Sequence, residues 1–195
     1  MLTLVAAHNF HFLQVWQERE GVQLNDMLLN QLPPVDLSLW IFLLEYSTLL
    51  LVFVFILPYP DRFIRGIQMF TMATFLRTIC IYFVALEPPK DMIHLIDPCA
   101  NFFLHSNGVF VTKDLFFPGH IAAITLMMLV STNRYVKTWA LLATIVISIM
   151  LLTQHVHYTF DVLFAPVAAF ICYKVVLFAH SQIGQKTFEF QSQKN

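Results

Sequence analysis

The sequence predicts an all-α fold, a polytopic transmembrane helix bundle of about five spans. Three observations carry that prediction. Of the 195 residues, 58% are apolar and only 12% are Asp, Glu, Lys or Arg, against about 25% charged in soluble domains. The apolar residues fall in long runs separated by short polar stretches. The chain holds 20 Phe and only 5 Gly, a balance suited to lipid-facing helices rather than to loops.

Residues 1–16 are half apolar but interrupted by His8, Asn9, His11 and Gln14. They are too short and polar for a span and lack a basic leader. They read as an interfacial helix or the remnant of a sixth span. Residues 17–36 form a polar linker ending at Pro33-Pro34, so 1–36 is an N-terminal segment preceding a bundle at 37–179. Residues 37–57 and 66–86 each supply 21 positions, enough to cross a bilayer core of about 30 Å. Residues 115–130 and 138–153 supply 16 each, and 162–179 supply 18. The segment 180–195 is polar and is expected to be a disordered cytoplasmic tail.

Orientation follows from the basic residues. Arg62, Arg65, Arg134, Lys137, Lys174, Lys186 and Lys194, seven in all, fall on one side of this topology, against Arg19, Lys90 and Lys113 on the other. The positive-inside rule makes the first side cytoplasmic. An integral multi-pass protein of a bacterial inner membrane or its equivalent results, with loops 87–114 and 154–161 outside. Net charge of −1 excludes a basic nucleic-acid surface. Cys80, Cys99 and Cys172 are scattered and form neither a disulfide framework nor a zinc pattern. No metal or cofactor is expected.

Two short motifs on the outer side carry the chemistry. His157 precedes Asp161 by four residues, a spacing that places both on one face of a helix. Asp161 could then hold one ring nitrogen of His157 and leave the other free to attack. The plainer alternative makes Asp161 a first-turn cap. In Phe117-Pro118-Gly119-His120, Gly119 allows close approach of a ligand to the backbone, and a helix start offers N–H groups to an anion. His120 could protonate a leaving oxygen. Glu45 and Arg77 lie about 12–14 Å below the outer ends of their spans. Equal depth predicts an ion pair, with Arg77 alternatively reaching a phosphate. Lys113 is a further phosphate candidate.

These residues resemble a known family. Lys113-Asp114-Leu115-Phe116-Phe117-Pro118-Gly119-His120 resembles the D-x-x-F-S-G-H-T motif of the sphingomyelin synthase-like family, a branch related to the type 2 phosphatidic acid phosphatases. His155-Val156-His157-Tyr158-Thr159-Phe160-Asp161-Val162 resembles its H-x-H-Y-T-x-D-V motif closely. Phe75-Leu76-Arg77-Thr78 and the later Glu87-Pro88-Pro89 are similar to its Arg-bearing second span and Pro-rich exit. The resemblance implies His157 as nucleophile, Asp161 as its orienting carboxylate and His120 as the acid. It implies a phosphate or substrate site including Gly119, Arg77, Lys113 and Tyr158.

The resemblance further implies a lipid phosphotransferase or phosphatase acting on membrane phospholipids and lipid alcohols, including sphingolipids, without a cofactor. Pro118 replaces the family's Ser, Ile121 its Thr, and Leu151 stands where the phosphatase branch has Arg. The alternative is therefore a catalytically weakened member that binds or passes lipids without turnover. The family usually has six spans, and the first is mostly absent here.

Overall fold

The computed structural model describes residues 19–98 and 115–192, with side chains to Gln182. Among these residues the fold is helical, with a single isolated bridge between Val22 and Leu86. A short 3-10 helix at Leu29–Gln31 precedes five α-helices. They are α1 (Ser38–Ile56), α2 (Pro60–Phe83), α3 (Gly119–Val130), α4 (Arg134–Thr153) and α5 (Thr159–Ser192).

Local chemistry explains where each helix begins. α2 starts six residues earlier than hydropathy predicts, because Pro60 suits the first helical position and Asp61 the positive end of the helix dipole. α4 starts at Arg134 because Asn133 caps it, its side chain accepting from the N–H groups of Tyr135 and Val136. That extends a segment expected to be short to 20 residues.

α1, α2, α4 and α5 are long and apolar enough to cross a membrane, which fits a multi-pass membrane protein. α3 is not a fifth full span. It has 12 residues, roughly 18 Å of helix, against a hydrocarbon core of about 30 Å. The preceding Leu115–Pro118 cannot extend it, because Phe117 has φ of 71° and Pro118 stands at the N-cap. The apolar character of α3 serves another purpose. It packs against all four other helices, and Ile121 through Leu126 are buried on every side. Small residues of α5, Ala165, Ala168, Ala169 and Cys172, are fully buried and let its backbone come close to its neighbours.

α5 does not stop where the bundle was expected to end. It continues to Ser192, where the sequence suggested disorder. Ser181–Ser192 contains no Pro, and Gln, Lys and Glu there are good helix formers.

The described part of the linker, residues 19–37, is sewn across one end of the bundle. The Val22 N–H donates to the Ala85 carbonyl at 3.0 Å, and the Glu87 N–H donates to the Val22 carbonyl at 3.1 Å. Gly21 makes this approach possible, since a Cβ there would lie 2.7 Å from the Leu86 carbonyl carbon. Buried Gln154 holds the far end of the strap. Its amide donates to Ser38 Oγ at 2.8 Å and accepts from the Leu37 N–H at 3.0 Å.

Candidate active site

At the strapped end lie the start of α3, the loop between α4 and α5, the first half of α1 and the second half of α2. These elements bring His120, Arg77, Gly119 and Glu45 around one cavity and place His157 near enough to feel the charges of His120 and Arg77.

His157 sits in the α4–α5 loop and is only 4% exposed. Its Nδ1 is 2.8 Å from the carbonyl oxygen of Leu115. A carbonyl can only accept, so Nδ1 carries the hydrogen and Nε2 keeps its lone pair. Burial, followed by the nearby charge of His120, pushes the ring down from 6.5 to about 3; Arg77 adds to this and the Leu115 bond opposes it. His157 is therefore neutral at ordinary pH, with Nε2 available.

His120 faces a cavity of about 390 Å³ that Glu45, Arg77, Phe117 and Gly119 also line. Its Nδ1 is 2.8 Å from Glu45 Oε2. The carboxylate accepts from Nδ1–H, which leaves Nε2 as the nitrogen able to exchange a proton. Phe42 packs edge-on against the His120 ring, with centroids 5.5 Å apart. Arg77 Nε donates to the Phe117 carbonyl at 3.2 Å, and the guanidinium lies against Gly119, whose missing Cβ would be 3.5 Å from Arg77 Cζ. The expected Glu45–Arg77 ion pair is thus replaced. Glu45 is committed to His120, and Arg77 reaches the turn ahead of α3. Glu45 and Arg77 do line one cavity, but a common level along the bundle does not choose between partners.

The expected contact between His157 and Asp161 is also replaced. Four-residue spacing aligns two side chains only inside a helix, and α5 begins at Thr159, two residues after His157. Asp161 is fully buried, and its Oδ2 accepts from the Tyr158 N–H at 3.1 Å. This is the acidic arm of a capping box. Asp161 Oδ1 has no hydrogen-bond partner among the described residues. The hydroxyl of Tyr158, expected at the substrate, is taken up structurally: it donates to the Glu87 carbonyl at 2.9 Å and accepts from the Leu24 N–H at 3.2 Å. Lys113 lies outside the described residues, as do residues 1–18 and 99–114.

Asp26 was not singled out by sequence. Its Oδ2 accepts from the Thr159 N–H at 2.6 Å and its Oδ1 from the Thr159 hydroxyl at 3.0 Å. Burial alone would raise Asp26, but the bonds from Thr159, Leu29 and Leu28 hold it below its ordinary value. The Asp26 loop shows no periodicity to flag it; an Asp before a short turn was the available signal. The start of α5 therefore meets two carboxylates. Among the described residues no carboxylate caps the start of α3: there is no acid in its first turn, its N-cap Pro118 offers no side-chain acceptor, and Glu45 reaches the His120 ring rather than its main chain. Its first N–H groups have no carbonyl ahead of them in the helix. Of the two helix starts, α3, beside Arg77, is the one suited to an anion.

Among the described residues, no group of three His, Cys, Asp or Glu side chains could hold a metal ion. Buried His155 directs Nδ1 to the Lys90 carbonyl at 3.1 Å and Nε2 to the Leu32 carbonyl at 3.0 Å, fastening the strap.

Residues 113–180, about a third of the chain, match a family model described as PAP2 superfamily C-terminal. The matched stretch contains His120, His157 and Asp161. It supports a relationship to the type 2 phosphatidic acid phosphatase superfamily and, with it, a lipid phosphatase or phosphotransferase type of activity. No curated protein matches the chain.

Proposed function

We propose that this protein is a membrane lipid phosphotransferase or phosphatase that works on a phospholipid headgroup through a histidine nucleophile at the outer membrane face. The observation that carries the reading is the pairing of two differently held imidazoles beside one cation. His157 keeps a free Nε2 because Leu115 takes its Nδ1–H, His120 is tied to a carboxylate, and Arg77 shares the cavity with His120.

In this reading a lipid phosphate enters the cavity with its oxygens toward Arg77 and the N–H groups of α3. Nε2 of His157 attacks phosphorus as the bond to the leaving oxygen breaks. His120 gives its Nε2 proton to that oxygen, and the departing alcohol is neutral. His157 then carries the phosphoryl group, with the headgroup still esterified to it when the substrate is a phosphodiester. His120, now a base at Nε2, takes a proton from water or from a lipid alcohol, whose oxygen displaces His157 from phosphorus. Water gives hydrolysis; an alcohol such as ceramide or diacylglycerol gives transfer. Glu45 compensates the charge on His120. Asp161 acts one step removed, bracing the Tyr158 main chain next to His157. Most of the work is positioning and charge stabilisation.

Sidedness is supported by Arg62, Arg65, Arg134 and Lys137, which lie near the ends of α2 and α4 opposite the site. The positive-inside rule places that end in the cytoplasm.

A second reading, a lipid-binding member with little turnover, is favoured by Pro118, which offers no hydroxyl to phosphate, and by Asp161 being turned to Tyr158 rather than to His157.

The deciding experiment is purified protein in liposomes with labelled phospholipids, with and without ceramide and diacylglycerol. The expected outcome is a phosphohistidine formed before acceptor is added, and loss of both label and product in His157→Ala. Inactivity across the panel that Pro118→Ser reverses would establish the second reading instead.

A further inference from the structure

The polar cavity continues beyond His120. Leu49, Phe70 and Ala123 line both it and a second, apolar cavity of about 480 Å³, so the two adjoin along these three side chains. The second cavity lies between α1 and α2, with Ala123 and Met127 of α3 as its floor. α1 and α2 touch each other little, each packing on α3 instead. The rim residues Leu50, Phe53 and Phe70 are exposed, whereas Ile56 and Gly66 at the far end are buried.

Two features restrict what could fill this space. Its walls are Leu, Ile, Phe, Met, Ala and Gly, which leaves a headgroup or any other polar group unsatisfied. A further helix, about 10–12 Å across with its side chains, would need far more room than about 480 Å³. An extended hydrocarbon chain satisfies both. Arg77 and Gly66 are eleven residues apart on α2, so the space runs roughly 16 Å from the phosphate end to its floor. A Cβ on Gly66 would have only Val130 Cγ1 near it, at 3.9 Å. Room for a side chain exists there, and its absence keeps the far end open.

We infer that the α1–α2 groove holds an acyl chain of the same lipid whose phosphate occupies the polar cavity, and that Gly66 sets the chain length accepted. The inference rests on the phospholipid reading above. The lipid then enters sideways from the bilayer between α1 and α2, headgroup last, and its tail is read before its phosphate reacts.

The test is photolabelling of the full-length protein in phosphatidylcholine liposomes, read by mass spectrometry. The probes are phosphatidylcholines with a diazirine in mid-chain or at the chain end, and diacylglycerols carrying the same diazirines but no phosphate. Mid-chain probe should label Leu49 and Phe70, and chain-end probe Ile56 and Phe63. Phospholipid should label the groove more strongly than diacylglycerol. Gly66→Leu should cut chain-end labelling by at least about tenfold, since each displaced methylene forfeits its burial, and cut mid-chain labelling far less. Gly66→Ala, a smaller change, should fall between.

Equal labelling by phospholipid and diacylglycerol, or chain-end label found on outward residues such as Phe75 and Ile149, overturns the groove assignment, since those patterns describe ordinary surrounding lipid. Labelling does not require turnover, so the two readings separate. Groove labelling without phosphohistidine or product sinks the catalytic reading and keeps the groove. Product formation with labelling indifferent to the headgroup does the reverse.

Discussion

Glu45 and His120 meet at 2.8 Å, carboxylate Oε2 to imidazole Nδ1, although 75 residues separate them. The bond fixes which ring nitrogen of His120 faces the cavity. Glu45 is itself almost fully buried, so its charge acts in a medium of low polarity. Glu45→Gln keeps an acceptor for Nδ1–H but removes the charge. Turnover of phospholipid should fall about a hundredfold while the protein still folds. A double-mutant cycle with His120→Gln should be strongly non-additive, and one with Arg77→Met close to additive. Additivity of Glu45 with His120 would contradict the pairing.

His157 should not titrate where histidines usually do. Its ring is pushed down to about 3 by burial first and by His120 next. In ¹⁵N-histidine spectra it should remain the neutral Nδ1–H tautomer from about pH 8 down to about pH 5. The sign for stability follows. Between 6.5 and about 3 the unfolded chain binds a proton that the native site does not, so the native state weakens as pH falls through that interval. His157→Gln should flatten this part of a melting-temperature profile.

Arg77→Lys should be a poor substitute for Arg77. Lys is a point charge with no planar fork, so it cannot both serve the Phe117 carbonyl and present paired N–H groups to phosphate. Inhibition by inorganic phosphate or vanadate should weaken by roughly tenfold or more, with melting temperature changed far less. Unaltered inhibition would remove Arg77 from the phosphate site.

Asp26 caps a helix 133 residues away. Asp26→Ala should cost about 1 kcal/mol of stability, as loss of a good cap does. The folded carboxyl sits below its ordinary 3.8. Its contribution is therefore present above that value and is lost as pH falls through the folded one. The difference in melting temperature between Asp26→Ala and the native chain should shrink in strong acid.

Much of the bundle was legible because bilayer crossing demands long apolar runs, and α1, α2, α4 and α5 have them. The segment 115–130, 16 residues long, was already short for a span, and composition alone could not say whether it lies in protein or in lipid, since both burials use the same residues. The 12 residues of α3 and its position among four neighbours appear only in three dimensions. His120 and His157 were singled out from motif and loop position. Their partners were not. Leu115 acts through its carbonyl, which any residue possesses, and Phe117 contributes a left-handed turn that its side chain does nothing to advertise. Asp161 was assigned to His157 because helical spacing was extended two residues past the true start of α5.

The turn at residues 115–119 sorts polarity without using side chains. Its oxygens at Leu115 and Phe117 face an imidazole and a guanidinium, and the N–H groups that follow open α3 without partners in the helix. Peptide orientation, enforced by φ of 71° at Phe117, thus writes an electrostatic pattern in the main chain itself. Such a pattern is indifferent to residue names. Exchanges at Phe116 could drift through descendants of this chain while the field around the cavity stays constant, so a search for matching letters would underestimate how faithfully the site is inherited.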